Sequence, residues 1–253
     1  MKFTYDTKIH SHHVQLKCFP KDDSRQQIED LKFNVEPPSE LSLDTDHFGN
    51  QTGCGYIEQK HSAFSIKVKG LARTGLNIYE DIELDEMKTK MFCYASEYTK
   101  IGESLEAYHA FLSMDPNQEV YEKTLYIMRK LAEDLTYSPG VTDTETTAEE
   151  AMKIKSGVCQ DFSHIMLALC RMEKIPVRYV VGMMQGEGAS HAWVEACCKG
   201  YWYGFDPTNN LLVDDQHIKF SHGRDYGDCM INKGFFIGDT KQTQDVEVVV
   251  LEQ

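Results

Sequence analysis

The chain has 253 residues, 41% of them hydrophobic, with 40 acidic against 26 basic side chains and a formal net charge of −14. That length allows a sizeable core and about two domains, and the acidic balance argues against nucleic acid or an anionic membrane surface as partner. No apolar run approaches the ~20 residues of a spanning helix, and Met1 to Gln15 carries no apolar stretch of the kind found in export signals.

A cytoplasmic location is therefore expected. Eight cysteines without an export signal read as free thiols. None shows the paired C-x-x-C spacing of a zinc site, so neither a metal nor a cofactor is expected.

Residues 1–85 read as a β-rich domain. Strand candidates are Phe3 to Ile9, Val14 to Phe19, Gln27 to Val35 and Phe64 to Leu71, with Pro37-Pro38 ending the third. Asp46-His47-Phe48-Gly49-Asn50 is turn chemistry. A small antiparallel sandwich is expected. His10, His12 and His13 read as a solvated strand end rather than as metal ligands, because no carboxylate pattern accompanies them.

Residues 86–253 read as a second domain, reached by a short linker near Arg73 to Glu86. The pattern turns helical from about Leu84 to Leu135, where Val120, Thr124, Ile127, Met128, Leu131 and Leu135 form one stripe. Tyr94, Tyr98, Tyr108 and Phe111 read as core contacts. Thr146 to Glu149 fits a capping box at the start of another helix. Met183 to Gly188 reads as a flexible loop on a cleft rim, and Asp214-Asp215 as a solvated loop. Arg224 and Asp225 read as a pair or a brace for the sheet, and Val246 to Leu251 as a terminal strand.

The stretch from Lys155 to Asn209 carries the chemistry. Phe162, Ile165, Met166, Leu169 and Cys170 form a helical stripe, so Cys159 falls in a first turn, with Ser156 as N-cap. Free backbone N–H groups there favour a thiolate and can hold an oxyanion. Ser190 to Cys198 and Tyr201 to Asp206 read as strands joined at Lys199-Gly200, which makes paired positions sum to 399. His191 and Asp206 then become diagonal neighbours on one face, with Cα atoms about 7–8 Å apart. Trp193 shares that face and reads as core. A Cys nucleophile, a His base and an Asp that fixes the imidazole are the parts that nucleophilic acyl transfer needs.

Gly157-Val158-Cys159-Gln160-Asp161-Phe162, His191-Ala192-Trp193-Val194-Glu195 and Gly204-Phe205-Asp206-Pro207-Thr208-Asn209 resemble the core signature of the bacterial transglutaminase-like family, whose members are described as protease-like. Leu135 to Thr142, Ile175 to Gly182, Gly223 to Asp228 and Asp46 to Asn50 resemble its outer segments. The resemblance implies an α+β fold: a papain-like transglutaminase core, with helices packed on an antiparallel sheet, preceded by the small β-sandwich. It implies Cys159, His191 and Asp206 as nucleophile, base and orienting carboxylate, without metal. A protein or peptide substrate is expected, and hydrolysis through a thioester is favoured. A crosslinking transglutaminase and a catalytically silent binding module are the alternatives. Papain-like enzymes often supply a Gln just before the Cys as an oxyanion donor, but Met152 to Val158 contains none. The second donor is left open, with Tyr137 as a candidate.

Overall fold

The computed structural model of the protein describes residues 1–81 and 86–252. The junction read at residues 85 and 86 touches 82–85, and Leu84 is among them; these lie outside the described residues. The first strands are β1 (Lys2–Leu16), β2 (Gln27–Glu36), β3 (Leu41–Thr45), β4 (Gln51–Ile57), β5 (His61–Arg73) and β6 (Tyr79–Asp81). The first five form an antiparallel sheet in the order β2-β5-β1-β4-β3.

β1 is one long strand where the sequence predicts two. Its first half pairs β5 and its second half pairs β4, with Ser11 at φ 49° near the change. Residues from both halves, among them Phe3, Tyr5, Ile9, Val14 and Leu16, close around one core with Phe19, Phe64 and Ile66. His12 corrects the expected solvated strand end, because it faces inward at 4% exposure. Its Nδ1 lies 3.1 Å from Nε2 of His61, and the two rings stack at 5.3 Å. Burial, with His61 and His13 beside it, pushes the His12 pKa down to about 4, so the packed ring is neutral.

The helical region contains α1 (Glu86–Met91), a 3-10 turn at Glu97–Thr99, α2 (Glu103–Leu112) and α3 (Val120–Asp134). Thr124, Ile127, Met128 and Leu131 bury the α3 stripe, while Val120 at its start stays exposed. Tyr98 and Tyr108 enter the core; Tyr94 and Phe111 do not, at 70% and 68% exposure. The aromatic pair expected inside is therefore at the surface. Next come β7 (Thr136–Tyr137), α4 (Ala148–Ile154), β8 (Ser156–Gly157) and α5 (Cys159–Met172). The capping box of α4 is one residue later than expected: Thr147 caps, and Glu150 closes the box. That shift frees Glu149, which accepts the N–H groups of Ser104 and Leu105 at the start of α2.

β9 (Val177–Met184), β10 (Gly186–Gly188), β11 (His191–Cys198), β12 (Tyr201–Asp206), β13 (Leu211–Leu212) and β14 (His217–Gly223) follow. They build the second sheet, in the order β13-β12-β11-β9-β14, with β6 pairing β12 and β10 standing outside it. α5 packs on one face, where Phe162, Ile165, Met166 and Leu169 meet Val177, Tyr179, Ala192 and Val194. Burying each large apolar side chain in such a contact contributes about 1.5–3 kcal/mol. Lys199 and Gly200 both have positive φ, at 53° and 88°, and make the tight turn between β11 and β12.

The chain ends with α6 (Tyr226–Cys229), β15 (Asn232–Ile237), β16 (Gln242–Asp245) and β17 (Val248–Val250). β15 and β16 pair with β1, so residues 232–245 belong by hydrogen bonding to the first sheet. β17 pairs with β10, so the expected flexible loop before His191 is partly a strand. Asn50 docks the Asp46 turn onto β14, donating to the His222 carbonyl at 2.7 Å and accepting its N–H at 2.8 Å. No helix among the described residues is long and apolar enough to cross a membrane.

Candidate active site

Cys159 is the first residue of α5, and its side chain is half-buried. The predicted N-cap, Ser156, instead lies in β8 and donates to the Thr136 carbonyl. The carboxylate of Asp161 holds the helix start: it accepts the Val158 N–H at 2.7 Å and the Thr142 hydroxyl at 2.7 Å. Burial lifts the Asp161 carboxyl above its usual range against the pull of those two bonds. Gly157 is required by this packing. A Cβ there would stand 2.6 Å from Cβ and Cγ of Asp161.

The register of β11 and β12 follows the predicted sum, from Cys198 opposite Tyr201 to Val194 opposite Phe205. The ladder ends there, one pair short of Trp193 and Asp206. Just beyond it, Nε2 of His191 meets Oδ2 of Asp206 at 2.8 Å. This leaves Nδ1 as the ring nitrogen available to the sulfur of Cys159. Burial lowers the His191 pKa, but Asp206 and then Cys159 outweigh it and raise it to about 10. Both partners favour the charged form of the ring. Asp206 has no side-chain exposure. Burial pushes its carboxyl up, yet His191, the nearby His217 and Asn209 together hold it well below the usual carboxylate range.

Asp206 is gripped at both oxygens. Oδ1 accepts the backbone N–H groups of Thr208 and Asn209, at 3.0 and 3.2 Å. Oδ2 accepts the Asn209 amide at 2.7 Å, and His217 Nε2 stands 3.5 Å from it. His191, Asp206 and His217 offer three possible metal-ligand atoms within 4.8 Å of one another. The Asn209 amide donates into the same carboxylate oxygen and competes with any cation for it. Asn209 and His217 escape a reading of sequence alone. Asn209 sits inside the Gly204 to Asn209 motif, so its proximity to Asp206 was available there. His217 comes from β14 on the opposite side of the sheet, and only the fold brings it near.

Behind Trp193, which is 1% exposed, the same sheet carries buried charges. Glu195 accepts from Arg178 at 2.6 Å and Lys219 at 3.0 Å, and Glu80 bridges the same two cations. One other expectation changes. Arg224 pairs with Asp228 at 2.8 Å rather than with Asp225, which caps α6 through the Gly227 N–H. Asp214 is exposed, as expected of a solvated loop, and its Oδ1 accepts from Nδ1 of the His217 ring at 3.0 Å. Tyr137 lies on β7, paired to β8 two residues before the Cys. Burial and then the charge of Cys159 raise its phenol pKa.

Residues 111–207 match the family profile described as the transglutaminase-like superfamily, and residues 1–73 match the bacterial transglutaminase-like N-terminal region. An uncharacterized protein of Mycobacterium leprae is 35% identical over 144 residues, covering 53% of this chain and half of that protein's length. Uncharacterized proteins of Mycobacterium bovis and Mycobacterium tuberculosis are 25% identical over 286 residues, covering 99% of this chain and 90% of theirs. The fold is shared with a Cytophaga hutchinsonii crystal structure described as a putative cysteine protease. The TM-score is 0.76 at 24% identity, over 96% of this chain and 87% of that one.

Proposed function

The chain belongs to the transglutaminase-like superfamily, and from that premise we propose that it is a cysteine-dependent amide hydrolase with Cys159 as nucleophile, His191 as acid and base, and Asp206 as the carboxylate that orients the ring. The observation that carries this reading is a single one. The His191 ring meets a carboxylate without solvent exposure at 2.8 Å, and a cysteine at the start of a helix is among the groups that act on that ring.

The steps follow from those positions. The Cys159 thiolate attacks the carbonyl carbon of a peptide or side-chain amide, and a C–S bond forms. The N–H groups at the start of α5 stabilise the oxyanion, an effect worth on the order of 10²–10³-fold per donor. His191 passes its proton to the departing amine, the C–N bond breaks, and a thioester remains. The now neutral ring takes a proton from water, whose oxygen attacks the thioester. The C–S bond breaks, the acid leaves and gives its proton to solvent, and the thiolate and imidazolium are restored. Tyr137, close enough for its phenol to sense the sulfur, is the candidate for a second oxyanion contact. Eight free thiols accord with a reducing compartment, which supports a cytoplasmic setting.

The test is ammonia or new amine termini released from a glutamine-rich protein such as casein, beside incorporation of a fluorescent primary amine. Hydrolysis predicts release without incorporation, and loss of both in Cys159→Ala. Incorporation exceeding release would make the protein a crosslinking enzyme. Full release by Cys159→Ala would remove the cysteine mechanism.

A further inference from the structure

We propose that His217 is a positioning residue for this site, anchoring Oδ2 of Asp206 from the far side of the sheet while Asp214 sets the orientation of its ring. The inference rests on the reading of Cys159, His191 and Asp206 as the reacting set.

Three observations carry it. First, the His217 side chain has no solvent exposure, and its Nε2 has no hydrogen-bond partner among the described residues. A buried ring N–H is costly unless it meets an acceptor, and the carboxylate oxygen that Nε2 faces is Asp206 Oδ2, at 3.5 Å; with a proton on each nitrogen the ring donates to Asp214 from Nδ1 and to Asp206 from Nε2. Second, the ring cannot drift. Asp214 Oδ1 lies 3.0 Å from Nδ1, and Trp193 packs edge-on at 5.3 Å between centroids.

Third, the anchor comes from elsewhere in the fold. Thr208 and Asn209, which also hold Asp206, belong to the turn that follows it and move with it. His217 opens β14, which pairs β9, which in turn pairs β11 and His191. A contact from Asp206 to His217 therefore ties the carboxylate to the strands that carry the imidazole. It also closes the crossing from β12 to β14 over the end of the sheet.

The test uses the full chain and the second-order rate of Cys159 alkylation by iodoacetamide at pH 6.5, followed by peptide mass, with melting temperature measured on every variant. His191→Ala and Asp206→Ala test the site itself. His217→Phe keeps the ring's bulk and removes the donor; His217→Gln restores an N–H at similar reach. Asp214→Ala alters a partly exposed loop residue and leaves the imidazole without its orienting carboxylate.

The proposal expects His217→Phe to slow alkylation about tenfold, the scale of one charge-assisted hydrogen bond. His217→Gln is expected within about threefold of the parent, with Asp214→Ala between the two. Parent rates in both His217→Phe and Asp214→Ala, with Asp206→Ala slowed, would reduce His217 to a space-filling residue. A folded His217→Gln as slow as His217→Phe would also overturn it, because the donor would not be what matters. Should His217→Phe fail to fold, a parent rate in Asp214→Ala decides against the proposal. Parent rates in His191→Ala and Asp206→Ala would overturn the reading of the site, and this inference with it.

Discussion

His191 Nε2 and Asp206 Oδ2 stand 2.8 Å apart where β11 and β12 cease to pair. The ladder between β11 and β12 stops at Val194 and Phe205, and at this open end of the hairpin two side chains meet each other. The carboxylate has no solvent exposure and the ring little, so the pair favours the charged form of the ring.

The pair makes stability depend on pH in a defined direction. The His191 pKa is raised to about 10 from an ordinary value of 6.5, so its contribution is complete below about pH 6.5 and is lost as pH climbs through 10. Asp206 is depressed, so its contribution is present above the ordinary carboxylate range and is lost only in strong acid. The parent protein should therefore lose melting temperature between pH 7 and 10. Asp206→Asn should start lower, by about 2–3 kcal/mol, and show a flatter profile over that window. Parallel profiles for the two proteins would contradict the assignment.

Gly157→Ala should slow iodoacetamide at Cys159 more than it lowers stability. The added methyl meets the Asp161 side chain, which must then release the Val158 N–H and loosen the start of α5. A loss of about 1–2 kcal/mol, the scale of a lost helix cap, is expected in urea unfolding. The alkylation rate should fall by at least fivefold, a value set by displacement of the sulfur.

The thiols should react in a fixed order. Burial pushes Cys18 and Cys198 up to about 12 and raises Cys170 and Cys229 further. Cys54 is a free, exposed thiol on β4, so it serves as an internal reference. At pH 6.5, Cys159 should be modified first, about tenfold ahead of Cys54, as read by peptide mass over time. Labelling of Cys54 ahead of Cys159 would count against activation by His191.

Glu195→Gln should be among the most damaging single changes away from the sulfur. Glu195 is fully buried, and burial's upward push on its carboxyl is overcome by Arg178, Lys219 and Arg25. Neutralising it strands buried cations, a loss of about 3–5 kcal/mol. Urea unfolding would report it, and a loss below about 1 kcal/mol would mean the cluster is wetter than its geometry implies.

Much of this site was legible because its signals are local. The α5 stripe, the Lys199-Gly200 turn and the summed register each depend on residues within a dozen positions of one another, and all three hold in the structure. What could not be read depends on encounters across the chain. His12 looks solvated until β5 delivers His61. Tyr94 and Phe111 look like core because aromaticity says nothing about which way a bend or a short helix faces. His217 has no periodic pattern or motif, only a place that the curl of the sheet makes important. The cap of α4 was missed by one residue because Thr146 and Thr147 are equally good formers, and Glu150 decided between them by closing the box.

The pairing of Lys2 with Asp245 has a consequence for biosynthesis. β1 waits for partners that lie far along the chain, so its sheet stays incomplete until β15 and β16 have been made. Long-range pairings of this kind slow folding. During that delay β1 presents open edges that β15 and β16 will later cover, and a ribosome stalled near residue 230 would hold a chain most exposed to strand exchange with its neighbours.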